Sequence, residues 1–281
     1  MDYKSINYKG IPVQADIISG IIKLEVDAVH CFRDLDRLVR SDQGVASLVL
    51  MVVNSALYGR NQKVSTIPLA ISLLGFNVVR SLAILAFARS LFAQTNDPLF
   101  RQHIWQHSLL TALASHDICQ ALGNETEKDE AFIAGLMHDT GKVLLYTHTK
   151  ELYLQALAVC LSDGGSSVEA EQKILGTDHC QVGAEAVIQW RLPKRFIAYM
   201  GTDRSVDNPQ GNTDTVGLSL AAANFLIKGL GIGSRMIEDV AVKRAGLISL
   251  GLNEALVDML VMETFTNRLF ESDIYKLCID F

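Results

Sequence analysis

An all-α fold in two lobes is the reading this sequence supports, on three observations. Apolar residues recur at helical spacing along most of the chain. In "ADIISGIIKLEVDAVH", for example, Ile17, Ile18, Ile21, Ile22 and Leu24 fall on one side. No stretch shows a convincing alternation of period two, the mark of a half-buried strand. The most apolar window, "AISLLGFNVVRSLAILAFA", carries Gly75, Asn77 and Arg80 and reads as two core helices around a turn, not as a membrane span.

The elements follow in order. After the first helix come "DLDRLVRSD" and "GVASLVLMVVNSALYG"; the latter is apolar almost all round and is expected to be deeply buried. "STIPLAISLLG" has Ser65 or Thr66 as N-cap, Pro68 in its first turn and Gly75 as its stop. "NVVRSLAILAFARSLF" restarts with Asn77 as cap. "QTNDP" at 94–98 divides an N-terminal lobe, 1–97, from a second lobe, 98–281. That lobe opens with "QHIWQHSLLTALASHDICQALG", "EAFIAGLMHD" and "VLLYTHTKELYLQALAVCLS". "DGGSS" at 163–167 is a loop, and a helix led by Glu169 and Glu171 ends near Gly176. "HCQVGAEAVIQWRLP" is stopped at Pro193, and "DRSVDNPQGNTDT" at 203–215 is an exposed loop. Two last helices are expected over 216–229 and 234–271, the second interrupted by Gly246 and Gly251.

Composition narrows the function. With 281 residues, 49% of them apolar, the chain is long enough for one large core or two joined lobes. A net charge of −6 argues against nucleic-acid binding, which needs a basic face. The five cysteines, 31, 119, 160, 180 and 278, form no C-x-x-C pair and are odd in number, as suits a reducing cytoplasm. The polar start, "MDYKSINYKG", shows no signal peptide.

The chemistry concentrates in "AGLMHDTGK", residues 134–142. His138 and Asp139, side by side at the end of an apolar run, suit the neighbourhood of a metal ion or a phosphate. Adjacent helical residues point about 100° apart, so both reach one ion only where the helix ends or bends, and Gly141 would allow that. Other residues read more plainly. His107 alone would be a hydrogen-bonded core or surface histidine, Lys142 a solvated helix-end lysine and His179 a relic or a surface residue. His116 and Asp117 lack a following Gly-Lys and read as surface, and His103 shares a face with His107 but is set aside. "GLGIGS" at 229–234 reads as a C-cap and turn. No G-x-S-x-G, P-loop or dinucleotide fingerprint is present.

Taken together, "WQHS", "GLMHDTGK" and "DHCQVGAEAVIQWRLP" resemble, in order and spacing, the HD superfamily of metal-dependent phosphohydrolases. "LVRSDQGVASLVLMVVNSALYG" and "VSTIPLAISLLGFNVVRSLAI" resemble the N-terminal lobe of the HDOD family, helical regulatory proteins whose HD-like lobe has usually lost its catalytic set. The resemblance spans roughly residues 12 to 230. It implies that His107, His138 and Asp139 are metal ligands, that His179 is a second-metal position and that Lys142 steadies a phosphate oxygen in an active relative. The sequence departs from the active pattern at "IAYMGTD", where Met200 and Gly201 replace histidine, and at Asn224, a weak donor in place of the late Asp. In the N-terminal lobe the usual Asp-Pro is Asp42-Gln43.

The expectation is therefore a cytoplasmic, bacterial-type signalling protein. It would act on a protein partner or a small phosphorylated ligand. Its degenerate site would hold a divalent metal (Zn, Mn, Fe, Ni or Mg) at partial occupancy or none. The alternatives are a metal-dependent phosphohydrolase acting on a nucleotide or other phosphate ester, and a structural adaptor with an empty pocket.

Overall fold

The computed structural model describes residues 6–8, 15–55, 63–93, 97–163, 165–202, 214–234 and 236–279. Among them every regular element is helical. The first lobe holds α1 (Ala15–Lys23), α2 (Cys31–Arg40), α3 (Gln43–Val53), α4 (Ile67–Leu74) and α5 (Phe76–Phe92). Asp42 caps α3 by accepting from the Val45 N–H. Beyond α3, Asn54 binds Val64 on both sides: its amide nitrogen donates to the Val64 carbonyl at 2.8 Å and its oxygen accepts from the Val64 N–H at 2.8 Å. That clamp gives the Asn-Ser dipeptide a physical role.

Several boundaries differ from the sequence reading. Asn77 is not a cap: α5 already begins at Phe76, and Gly75, at φ 87°, makes the turn. Only a residue without a Cβ adopts that conformation cheaply. Helices α4 and α5 meet at a bend of 120°, and no single helix among the described residues is long and apolar enough to cross a membrane. Residues 203–213, most of the expected exposed loop, lie outside the described residues.

The second lobe starts with a short α6 (Pro98–Phe100), which passes through a π-helical stretch, Arg101–Gln106, into α7 (His107–Ala121). Then come α8 (Lys128–Met137), α9 (Thr140–His148), α10 (Lys150–Asp163), α11 (Ser167–Leu175), α12 (His179–Gln189) and α13 (Phe196–Tyr199). Thr149 breaks what reads in sequence as one stretch into α9 and α10. The chain then forms α14 (Thr215–Lys228), α15 (Val240–Ser249), α16 (Glu254–Leu260), α17 (Glu263–Glu271) and α18 (Asp273–Cys278). The expected helix over 234–271 is thus several shorter ones. Gly246 sits inside α15, where a Cβ would strike the Phe225 ring, while Gly251, at φ 99°, makes the turn before α16.

Helices α7, α8 and α14 pack together as the centre of the second lobe. One continuous cluster of buried apolar side chains joins both lobes, from Ile6 to Cys278. Phe87 of α5 meets Trp190 edge-on at 5.9 Å, and Phe92 lies 4.9 Å from Trp105. The indole N–H groups find carbonyls far along the chain, Trp190 on Tyr8 and Trp105 on Cys278. Large aromatics buried this way contribute roughly 1.5–3 kcal/mol each.

Candidate metal centre

The His-Asp pair stands at a break between two helices. Helix α8 ends at Met137, and Asp139, at φ −99° and ψ 11°, leaves the helical path before α9 starts. The Thr140 hydroxyl donates to the Met137 carbonyl and the Lys142 N–H to the Asp139 carbonyl, so the turn is bonded on both sides. His138 and Asp139 therefore reach one place, as their spacing demands. Gly141 serves a different purpose from the one expected. Its φ is not positive; instead a Cβ there would collide with the His179 carbonyl, so its bareness lets α12 lie against α9. That close crossing brings His179 up to Asp139.

Around Asp139 the structure assembles all six residues singled out in the sequence. His107 Nε2 lies 3.6 Å and His138 Nε2 3.5 Å from Asp139 Oδ2, and His179 Nε2 lies 3.6 Å from Oδ1. Lys142 Nζ donates to Oδ2 at 2.9 Å. Asn224, on α14, has Oδ1 3.0 Å from His107 Nε2. The whole group is buried, Lys142 included at 1% exposed and His179 at 1%. The readings of a solvated lysine and a surface histidine are thereby corrected. His107, His138 and Asp139 present ligand atoms within 4.8 Å of one another, a spacing that a single ion can bridge.

Hydrogen bonds orient each ring. His107 Nδ1 is 3.0 Å from the Ile232 carbonyl and His138 Nδ1 2.7 Å from that of Gly135. His179 Nδ1 is 2.6 Å from Glu171 Oε2. A carbonyl or carboxylate only accepts, so each neutral ring carries its proton on Nδ1, a tautomer assigned from the partners. The three Nε2 atoms then lie 3.5–3.6 Å from Asp139, another acceptor, while that of His107 also meets the Asn224 amide at 3.0 Å and that of His179 the Cys180 thiol at 3.5 Å. Ring lone pairs beside a buried carboxylate favour a cation among them, and the Lys142 ammonium is one already in place. Asp139 Oδ1 has no hydrogen bond at all, which leaves it open to one. The donor set of His107, His138 and Asp139 fits a borderline divalent ion, while the orphaned Oδ1 faces His179.

Charge sets the protonation. Burial pushes His107 down to about 3, against the opposing pull of Asp139, so the ring is neutral at ordinary pH. Burial also disfavours a charged Asp139, but its neighbours, His138 and Lys142 foremost, outweigh that and hold the carboxyl below its usual range. A neutral His107 offers Asn224 a lone pair, and the amide group suited to meet it is the NH2, exchanged with the oxygen by a half-turn.

Three contributors escaped the sequence. Glu171 looked like a helix-leading acid, yet it is 2% exposed and binds His179. Ile232 and Gly233 belong to the stretch taken as a simple turn. Gly233, at φ 89°, lies so close that a Cβ would meet His107 Nδ1 at 2.8 Å, and its N–H donates to His103 Nδ1 at 3.2 Å. The run of glycines was the available signal, since dense glycine marks close backbone approach as well as turns. Met200 packs on Gly183. His116 is half-buried beside Asp117, which pairs with Arg268 across the surface.

This architecture, a helical lobe packed on a second lobe with a buried His/His-Asp cluster, defines an HD-like fold. The particular family is equally plain: the chain matches the HDOD domain over residues 11–205, more than half its length, and belongs to that family. It is similar to an uncharacterized protein of Treponema pallidum (strain Nichols), 22% identical over 164 residues; the match takes in 58% of this chain but only 32% of that protein. The chain thus spans about a third of that curated relative. Among solved structures it resembles an HDOD domain protein from Geobacter sulfurreducens, with a TM-score of 0.72 and 22% identity over 95% of this chain and 94% of that one. A candidate phosphohydrolase from Shewanella amazonensis SB2B gives 0.64 and 17%, over 93% and 92%. A candidate signal transduction protein from Marinobacter aquaeolei VT8 gives 0.67 and 23%, over 92% and 57%. At these identities the likeness establishes the fold.

Proposed function

We propose that this chain is a regulatory HDOD module of a cytoplasmic signalling pathway, one that works by binding a protein partner or a small phosphorylated ligand and turns over no substrate. Enclosure of the His-Asp cluster carries this reading. His107, His138, Asp139, Lys142, His179 and Asn224 are each at most 2% exposed. The cavity beside them, lined by Lys142, Tyr153, Ser167 and Glu171 among others, leaves about 10 Å³ for the centre of a water-sized sphere. That is room for one water, whereas ligand pockets run to several hundred Å³. Asn224 also lacks the charge that would help offset a metal's. The five cysteines are free and buried, which suits a reducing compartment.

Metal-dependent phosphoester hydrolysis is the second reading, and the three ring Nε2 atoms beside Asp139 favour it. A divalent ion held by His107, His138 and Asp139 would act as a Lewis acid and lower the pKa of water. On that reading Lys142 stands beside the reacting centre and Glu171 and Ile232 hold the rings in register.

Turnover separates the two. Phosphomonoesters, nucleotides and cyclic dinucleotides are assayed with Mn, Mg, Ni and Zn. We expect no metal-dependent hydrolysis above background. Turnover near ~1 per second that disappears in Asp139→Ala would overturn the binding-module reading.

A further inference from the structure

The unusual member of the cluster is a buried lysine. Lys142 stands one turn after Asp139, on the same helical face, and its ammonium donates to Oδ2 at 2.9 Å. The same oxygen faces His107 and His138 at 3.6 and 3.5 Å. A divalent ion bridging those rings and that oxygen would meet a positive charge already in place. At such separations, in a site shielded from water, like charges repel strongly. On its other side Lys142 lines the one-water cavity with Tyr153, Ser167 and Glu171, and Glu171 carries a second carboxylate.

We propose that Lys142 is the built-in cation of this site. Its ammonium neutralises Asp139 in place of a metal and competes with any divalent ion for that carboxylate. Metal binds only when the lysine's head withdraws from Asp139, and the cavity beside Glu171 is where the side chain can turn. Asn224 supports the metal-free state by giving His107 an amide where an Asp would add one more acceptor. The inference deepens the binding-module reading and rests on it: Asp139 is neutralised and the cluster closed without a metal, as a non-catalytic core should be.

The test uses the full chain, stripped with chelator, titrated calorimetrically with Mn and with Zn. Lys142→Met keeps the apolar stem and removes the charge. We expect it to bind at least one of these ions tenfold or more tightly than wild type, within the ~10–100-fold range over which a metal's surroundings alter affinity. Lys142→Arg keeps the charge and should stay weak. Because Lys142→Met leaves a buried carboxylate without its partner, it is expected to be less stable. Thermal melting with and without metal covers a poorly folded variant: metal should raise its melting temperature by more than it raises that of wild type. Equal affinities and equal metal-induced shifts in wild type and Lys142→Met would overturn the inference, as would absence of binding in both. Turnover dependent on Asp139 would instead overturn the binding-module reading and leave the affinity comparison intact.

Discussion

Glu171 accepts two hydrogen bonds from a single residue, His179: one from its backbone N–H at 2.7 Å and one from its ring at 2.6 Å. The turn at Gly176, whose φ of 74° ends α11, folds the chain back so that these residues meet. The carboxylate fixes the ring, and the ring's other nitrogen faces Asp139. Glu171→Ala leaves two buried donors without an acceptor. At ~1–3 kcal/mol each, the expected loss is ~2–6 kcal/mol in urea denaturation at pH 7. Glu171→Gln, which keeps an accepting oxygen, should recover part of it. A loss under ~0.5 kcal/mol in Glu171→Ala, within the range of an ordinary surface substitution, would show that the pair does not hold the site.

Acid should destabilise the fold through the same cluster. His107 titrates near 3 when folded and near 6.5 when unfolded, so the folded state binds fewer protons between those values. Its contribution is therefore fully present above pH 6.5 and is lost as pH falls toward 3. Asp139, also lowered, adds a loss of the same sign below the ordinary carboxylate range. Denaturation at pH 7, 6 and 5 should show stability falling by up to about 1.4 kcal/mol per pH unit from His107. His107→Gln should flatten the slope. A wild-type profile flat from 7 to 5 would mean that His107 is not held neutral.

The late position of the metal pattern offers a third expectation. Asn224→Asp adds a carboxylate 3.0 Å from His107, close in size to the amide it replaces. Metal-free, the variant faces a lone pair with another acceptor and should be less stable than wild type. With Mn or Zn it should bind at least about tenfold more tightly, since a charged oxygen now helps offset the ion. Calorimetry on stripped protein measures this. Unchanged affinity would place Asn224 outside the ion's surroundings.

The first lobe should not fold alone. Its longest helix, α5, packs on α8, and Phe87 and Phe92 rest on Trp190 and Trp105 of the second lobe. The Ser19 hydroxyl reaches the Arg191 carbonyl at 2.9 Å. Expressed separately, residues 1–97 would expose that apolar surface and should aggregate or melt without cooperativity. A soluble fragment with a sharp transition would contradict the shared core.

Much of this was legible in the residues. Helical spacing identified most of the helices, because one buried stripe per helix is a local property of sequence. His138 and Asp139 stood out because two polar groups at the end of an apolar run need a partner. His107, His179 and Asn224 came from ordered motifs. The missing parts depend on what the chain does in space. Lys142 looks exposed until α9 is packed, and Glu171 is eight residues from the ring it binds. The Ile232 carbonyl carries no side-chain signature at all. The cap expected at Asn77 and the break expected at Gly246 differ from the structure because a helix end is decided by packing as much as by its residue.

The account turns on three imidazoles that donate through protonated Nδ1 atoms and turn unprotonated Nε2 atoms toward Asp139. Long-range nitrogen–proton correlation spectra of the metal-free, histidine-labelled chain report which ring nitrogen carries the proton. At pH 7 the signals of His107, His138 and His179, assigned by single substitution, should each show protonated Nδ1 and unprotonated Nε2. Protons on the Nε2 atoms would contradict it, for those rings could not then face Asp139 as acceptors and the cluster would have no need of a cation.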